Sequence, residues 1–183
     1  MRNKIININK DFGQSLLKQF IKDIKSIEED VFNIIENNEK SIEKKDLPTI
    51  EIRISSYGGD TNVANSIITY IEYLKSLGCK IITKVFGYAY SCGALTFLHG
   101  DERIFVDKCF SLLIWHDMKL SQGFKDIDRH IQNAEEYKKI WQTHINYLLE
   151  TTKVTKELLK EKSDNKEWFI RYDEAKELNI VTQ

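Results

Sequence analysis

Hydrophobic residues recur along this chain in two rhythms. Ile50, Ile52 and Ile54 alternate with Glu51 and Arg53, the period-two signature of a strand over Thr49 to Ser55. Lys4 to Asn9 alternates more loosely and predicts an earlier strand. Between them, Leu17, Phe20, Ile21, Ile24, Ile27, Val31 and Ile34 fall at helical spacing, which predicts a helix over Phe12 to Asn37. The polar stretch from Asn37 to Pro48 is a surface connection. A second helical stripe carries Val63, Ile67, Tyr70, Ile71 and Leu74 and ends near Gly78. Asp60 or Thr61 can cap its start. The β-branched run Ile81 to Phe86 predicts a buried strand, and Ala94 to Leu98 the start of a short helix. Arg103 to Val106 and Phe110 to Trp115 are two further short β-rich runs. Phe124 to Thr152 holds the longest helical stripe, through Ile127, Ile131, Ala134, Tyr137, Trp141, Ile145 and Leu148. A helix from Thr155 to Glu161, an extended piece Trp168 to Ile170 and a last turn or two from Asp173 to Leu178 follow.

Strands that alternate with helices predict an α/β fold with mainly parallel strands. The carboxyl ends of such strands share one edge, where sites form. Three pieces can meet there: Gly58-Gly59, Ser91 within Gly87 to Ala94, and His116. Paired glycines allow positive φ and close backbone approach. A serine between strand and helix sits where backbone amides converge. It becomes a nucleophile when a histidine takes its proton. A carboxylate on the other imidazole nitrogen fixes the tautomer, and two N–H groups must face the developing oxyanion. The amides of Gly59 and Cys92 are placed for that. A plain strand-to-helix turn and a Cys92 nucleophile are the alternative readings of the octapeptide. Nothing marks the Cys92 thiol as activated.

Composition narrows the function classes. The 183 residues fit one domain with a full core. A net charge of −1 supplies no field to hold nucleic acid or a membrane surface. Cys79, Cys92 and Cys109 are odd in number, widely spaced and without a C-x-x-C. They predict neither a disulfide framework nor a zinc site, and they fit a reducing compartment. With no signal peptide or long apolar span, the chain reads as cytoplasmic. No cofactor or metal is called for. His130 and His144 lie fourteen apart on one helix face and read as interfacial or solvated. His99 is placed to meet the carbonyls that end its helix.

Taken in order, these motifs resemble the ClpP (caseinolytic) serine protease family of the crotonase-like superfamily. Ile52 to Gly59 matches that family's strand–SPGG–helix segment, and Gly87-Tyr88-Ala89-Tyr90-Ser91-Cys92-Gly93-Ala94 matches its G-x-A-x-S-x-G-A motif. Leu113-Ile114-Trp115-His116 stands for its Met-Ile-His segment, 25 residues after the serine. Gln122 to Thr152 matches its Gly-rich turn and long helix. Glu167-Trp168-Phe169 and Glu174 to Val181 match its closing acid and E-A-x-x-x-G-L-[IV]-D segment. The resemblance covers roughly residues 3 to 182.

It implies one ClpP-like protease domain over 1–183, an α/β fold of ββα units with a mainly parallel sheet, flanking helices and a long "handle" helix over about 124–152. It implies a serine endopeptidase that cleaves peptides or unfolded proteins. The triad would be Ser91, His116 and Glu167, the oxyanion hole Gly59 and Cys92, and the peptide-binding edge Tyr57 and Gly58. Tyr57 replaces the usual proline, and Glu167 the usual aspartate, with Asp164 three residues earlier as the competing acid. Asn179 replaces a glycine and tolerates the same left-handed backbone. A homo-oligomer, a ring or a smaller assembly joined through the long helix, is the expected partner. The chain starts at the first strand, without the family's leading helix and axial hairpin. In the family those parts help to dock an ATP-driven unfoldase, so an AAA+ unfoldase partner and ATP dependence stay open. Subsites near Phe86, Leu95 and Leu113 should take apolar side chains. The alternatives are a catalytically weak ClpP-like scaffold and a crotonase-like acyl-CoA enzyme; the Ser91–His116 pair favours the peptidase.

Overall fold

The computed structural model describes residues 3–37, 47–117 and 127–183. Most of the polar connection before Pro48 and the turn before the long helix lie outside them. The strands are β1 (Lys4–Ile8), β2 (Thr49–Ser56), β3 (Lys80–Tyr90), β4 (Glu102–Phe105), β5 (Leu112–Trp115) and β6 (Trp168–Ile170). The helices are α1 (Gln14–Asn37), α2 (Thr61–Ser76), α3 (Cys92–Leu98), α4 (Ile127–Thr151), α5 (Lys156–Ser163) and α6 (Tyr172–Glu177).

One sheet runs β1-β2-β3-β5-β6, with β4 also paired to β3. The alternation of β2 predicted one buried face, and the register supplies it. Ile6 pairs with Ile52 and Ile8 with Ile54 on one side, and Ile50 with Ile81 and Ile54 with Val85 on the other. These side chains are fully buried against Leu16, Phe20, Ile24, Ile67 and Ile71 of α1 and α2. Parallel neighbours need a crossover, and consecutive right-handed crossovers put both helices on the same face. Asp60 caps α2 by accepting from the Asn62 amide at 2.8 Å.

The sequence reads a strand ending at Phe86, but β3 continues to Tyr90. Its first half pairs with β4, from Ile82 with Glu102 to Val85 with Phe105. Its second half pairs with β5, from Tyr88 with Leu112 to Tyr90 with Ile114. Gly87 takes φ 86° between these halves, where the β2 register also slips. The glycine lets one long strand serve two partners and deliver Ser91 to the sheet edge. β6 closes the far side antiparallel to β5, pairing Leu113 with Ile170 and Trp115 with Trp168.

The C-terminal segment is fastened by Arg103, which is buried. Its Nε donates to the Ile180 carbonyl at 2.9 Å, and its Nη2 to those of Asn179 at 2.7 Å and Thr151 at 3.1 Å. Asn179 adopts φ 55°, the left-handed backbone predicted for it.

The sheet face away from α1 and α2 is partly open. Glu51 sits there between Arg53 at 2.6 Å and Lys84 at 2.7 Å. The Arg53 guanidinium lies 5.4 Å from the centre of the Phe86 ring. The two cations hold the Glu51 carboxyl below its ordinary value, against the opposing effect of burial. Ile5 and Phe86 are exposed on this face. Among the described residues, no helix is long and apolar enough to cross a membrane.

Candidate active site

Ser91 joins β3 to α3 with φ 51° and ψ −115°. A residue with a Cβ populates that region at a cost of about 1–3 kcal/mol, and only where its surroundings fix it. Here both neighbouring elements do so. The Ser91 amide donates to the Ile114 carbonyl of β5 at 3.0 Å, and the Ser91 carbonyl accepts from Leu95 of α3 at 3.0 Å. The third support is Gly58 at φ 95°. A Cβ there would lie 2.8 Å from the Ser91 Cβ and 2.9 Å from the Tyr90 carbonyl oxygen, so no other residue fits.

The Gly58-Gly59 turn is itself pinned to the start of the chain. The Phe12 amide donates to the Gly58 carbonyl at 2.7 Å, and the Asp60 amide to the Phe12 carbonyl at 2.8 Å. Ser56 Oγ accepts from the Gly58 amide at 3.2 Å and donates to the Lys10 carbonyl at 2.8 Å. Among the described residues, the amides of Gly59 and Cys92 have no protein acceptor. The Cys92 thiol donates to the Gly59 carbonyl at 3.2 Å. Burial pushes this thiol up, which leaves it protonated and makes it a poor nucleophile beside Ser91.

Gly59, Ser91, Cys92 and His116 line one cavity of about 170 Å³, closed by Thr61, Leu95, Trp115 and Trp141. Three strand ends far apart in sequence therefore meet, as the parallel sheet requires. Among the described residues no hydrogen bond links Ser91 to His116. The imidazole Nδ1 lies 2.7 Å from the Asp117 carbonyl oxygen. A carbonyl only accepts, so Nδ1 carries the proton and Nε2 is the basic nitrogen.

Glu167 is not on the imidazole. Its side chain is exposed, and no hydrogen bond ties it to His116 among the described residues. Its backbone is nevertheless well placed, because β5 and β6 pair Trp115 with Trp168. The pairing ends there, and His116 and Glu167 are the next residues along the two segments. Asp164 ends α5, accepts from Asn165 at 2.9 Å and lines a separate cleft with Asp117 and Lys160.

Three expectations about neighbours change. Of the three predicted subsite residues only Leu95 reaches the cavity; Phe86 lies on the open sheet face and Leu113 is buried in the core. His144 is neither interfacial nor solvated: it is buried, and its Nε2 lies 2.8 Å from Asn65 Oδ1 of α2. The side chain of His130 lies outside the described residues. His99 does not turn to its helix carbonyls. Its Nδ1 pairs with Glu72 at 2.8 Å, and its ring stacks on Tyr147 at 3.9 Å. Tyr57 is 64% exposed and packs against Tyr88 and Tyr90, with ring centres 4.4 and 5.3 Å away.

The family model described as Clp protease matches residues 9–183. The chain belongs to the Clp protease family. No curated protein matches it. Its α/β architecture, with a mostly parallel sheet and flanking helices, is that of a ClpP-like fold, and membership supports a ClpP-like peptidase. Against the Clp protease motifs, sequence reasoning leaves three members of the cavity wall unassigned: Thr61 reads only as a helix cap, Trp115 only as part of the segment that ends in His116, and Trp141 only as part of a helical stripe. The two tryptophan rings meet at 5.3 Å, a contact between residues 26 apart that no local pattern signals.

Proposed function

We propose that the protein is a serine endopeptidase that cleaves peptides or unfolded chains. Ser91 Oγ is the nucleophile and His116 Nε2 its base. The base takes the hydroxyl proton as Oγ attacks the peptide carbonyl and returns it to the leaving amine. The amides of Gly59 and Cys92 receive the oxyanion. An extended substrate adds along the Tyr57-Gly58 edge through backbone hydrogen bonds. Glu167 is the acid that supports the imidazolium, while the Asp117 carbonyl holds the tautomer.

The observation that carries this reading is the strained backbone of Ser91, held from three sides at the mouth of a cavity it shares with His116. A packing turn has no use for such strain. A fluorophosphonate probe tests it. Labelling that is lost in both Ser91→Ala and His116→Ala is expected; labelling that survives Ser91→Ala refutes it, and an unlabelled wild-type chain leaves the catalytically weak scaffold as the better reading.

The protein also forms a homo-oligomer in this proposal. Ile5 and Phe86 stay exposed on the open sheet face, and Ile131 is 54% exposed on α4. Isolated apolar residues are common on surfaces, but Ile5 and Phe86 share one sheet face and Ile131 adds an exposed side chain on the long helix. Trp141 is not available for the contact, because it packs on Trp115. Native mass measurement tests the assembly, with Ile131→Glu expected to lower the mass and a monomeric wild type refuting it.

A further inference from the structure

The cavity that holds Ser91 and His116 measures about 170 Å³. A cavity of about 150 Å³ holds one benzene molecule. The scissile carbonyl must share this volume, because Gly59 and Cys92, whose amides receive its oxygen in the reading above, line it too. What remains is too small for a phenyl ring. The lining mixes hydroxyls and backbone with apolar side chains, so polarity does not decide what enters; room does. The walls do not give way to make more. Leu95 and Trp115 are 5% and 2% exposed within α3 and β5, and Thr61 opens α2 beside its Asp60 cap. The wall from α4 is Trp141. Its ring meets that of Trp115 at 5.3 Å and that of His144 at 6.2 Å, and His144 is itself buried and bonded to Asn65. Rings packed in this way hold their rotamers.

We propose that Trp141 sets the size of the residue whose carbonyl Ser91 attacks: the cavity admits side chains up to that of valine and excludes phenylalanine and tyrosine. The inference rests on the peptidase reading and names the substrate class that the same site takes. Alanine, serine and valine fit beside the carbonyl without moving a wall. A benzyl group fits only by driving Trp141 off Trp115, or by staying at the mouth with its carbonyl short of the two amides. Overpacking between well-packed side chains is unfavourable, so the larger residue loses either binding or reactive placement.

The test uses the full chain carrying Ser91→Ala, so that binding is read without turnover. Peptides identical but for Ala, Val or Phe just before the scissile bond are titrated by calorimetry. The alanine and valine peptides are expected to bind about tenfold or more tightly than the phenylalanine peptide. Adding Trp141→Ala should tighten the phenylalanine peptide about tenfold or more and leave the alanine peptide within about threefold. A variant that merely folds poorly loses every peptide and gains none. Trp141→Phe, a gentler change to the packing, should give an intermediate gain. Equal or tighter binding of the phenylalanine peptide to the Ser91→Ala chain overturns the proposal. So does the absence of any gain in both Trp141 variants, or no binding of any of the peptides. In the wild type, size-selective binding without turnover would strike the peptidase reading and leave the selection standing. Turnover of the alanine and phenylalanine peptides at equal kcat/KM would strike the selection alone.

Discussion

Replacing Ser91 by glycine should make the protein more stable than replacing it by alanine, although both variants are expected to be inactive. At φ 51° and ψ −115° any residue with a Cβ is strained, by about 1–3 kcal/mol. Glycine removes that strain but gives the unfolded chain extra freedom, which costs about 0.5–1 kcal/mol. The comparison with alanine cancels the lost hydroxyl, leaving the backbone contribution alone. The expected difference is about 1 kcal/mol in favour of glycine, or roughly 2–4 °C in Tm for a chain of this size. Urea unfolding of the two variants at one protein concentration measures it, since assembly would make the midpoint concentration-dependent. A glycine variant less stable than the alanine variant would refute the strain argument and, with it, the main support for Ser91 as nucleophile.

Acidification should destabilise the protein before its carboxylates titrate. Burial, then the nearby His99, lowers His144 to about 4 from an ordinary 6.5, so the unfolded chain takes up the proton first. Stability is full above pH 6.5 and falls by about 3 kcal/mol as pH drops towards 4. His99, also lowered by burial and partly offset by Glu72, adds loss in the same direction. Urea midpoints between pH 7 and 5 should decline in the wild type and flatten in His144→Gln, which keeps a donor for Asn65; a flat wild-type profile counts against it. Arg103→Met should cost about 3–5 kcal/mol, because it strips buried carbonyls of their charged donor, and a loss under about 1 kcal/mol would show that water replaces it. Glu167→Gln should lower kcat about ten- to a hundredfold, less than the roughly ten-thousandfold typical when the acid alone fixes the tautomer. A loss as large as that of His116→Ala would show that the Asp117 carbonyl does not hold the imidazole.

The parts of the site that were legible in the sequence are those written in local patterns. The alternation of Ile50, Ile52 and Ile54 placed β2, and the Gly-Gly turn and Ser91 followed from strand ends on one sheet edge. The left-handed backbone at Asn179 was legible because few side chains tolerate it. What escaped depends on contacts between distant segments. The stripe on α4 fixes which residues share a face but not that His144 meets Asn65 and Trp141 meets Trp115. The octapeptide from Gly87 reads as a strand-to-helix turn, whereas β5 recruits its residues Tyr88 to Tyr90 into β3. Phe86 and Leu113 are close to the motifs in sequence, but Phe86 points away from the fully buried Val85 and out of the helix-covered face. Nearness along a strand is not nearness to its end.

The antiparallel pairing of β6 with β5 makes the order of synthesis matter. The edge that steadies the His116 strand comes from residues 168–170, and two of the carbonyls that hold Arg103 come from Asn179 and Ile180. These residues are made after the strand and helix that hold Ser91. Until they pack, the strand that carries His116 has an open flank. On the peptidase reading proposed above, a chain that stops short of them would carry the nucleophile without its general base in place. The order of synthesis would then delay cleavage until the sheet is closed.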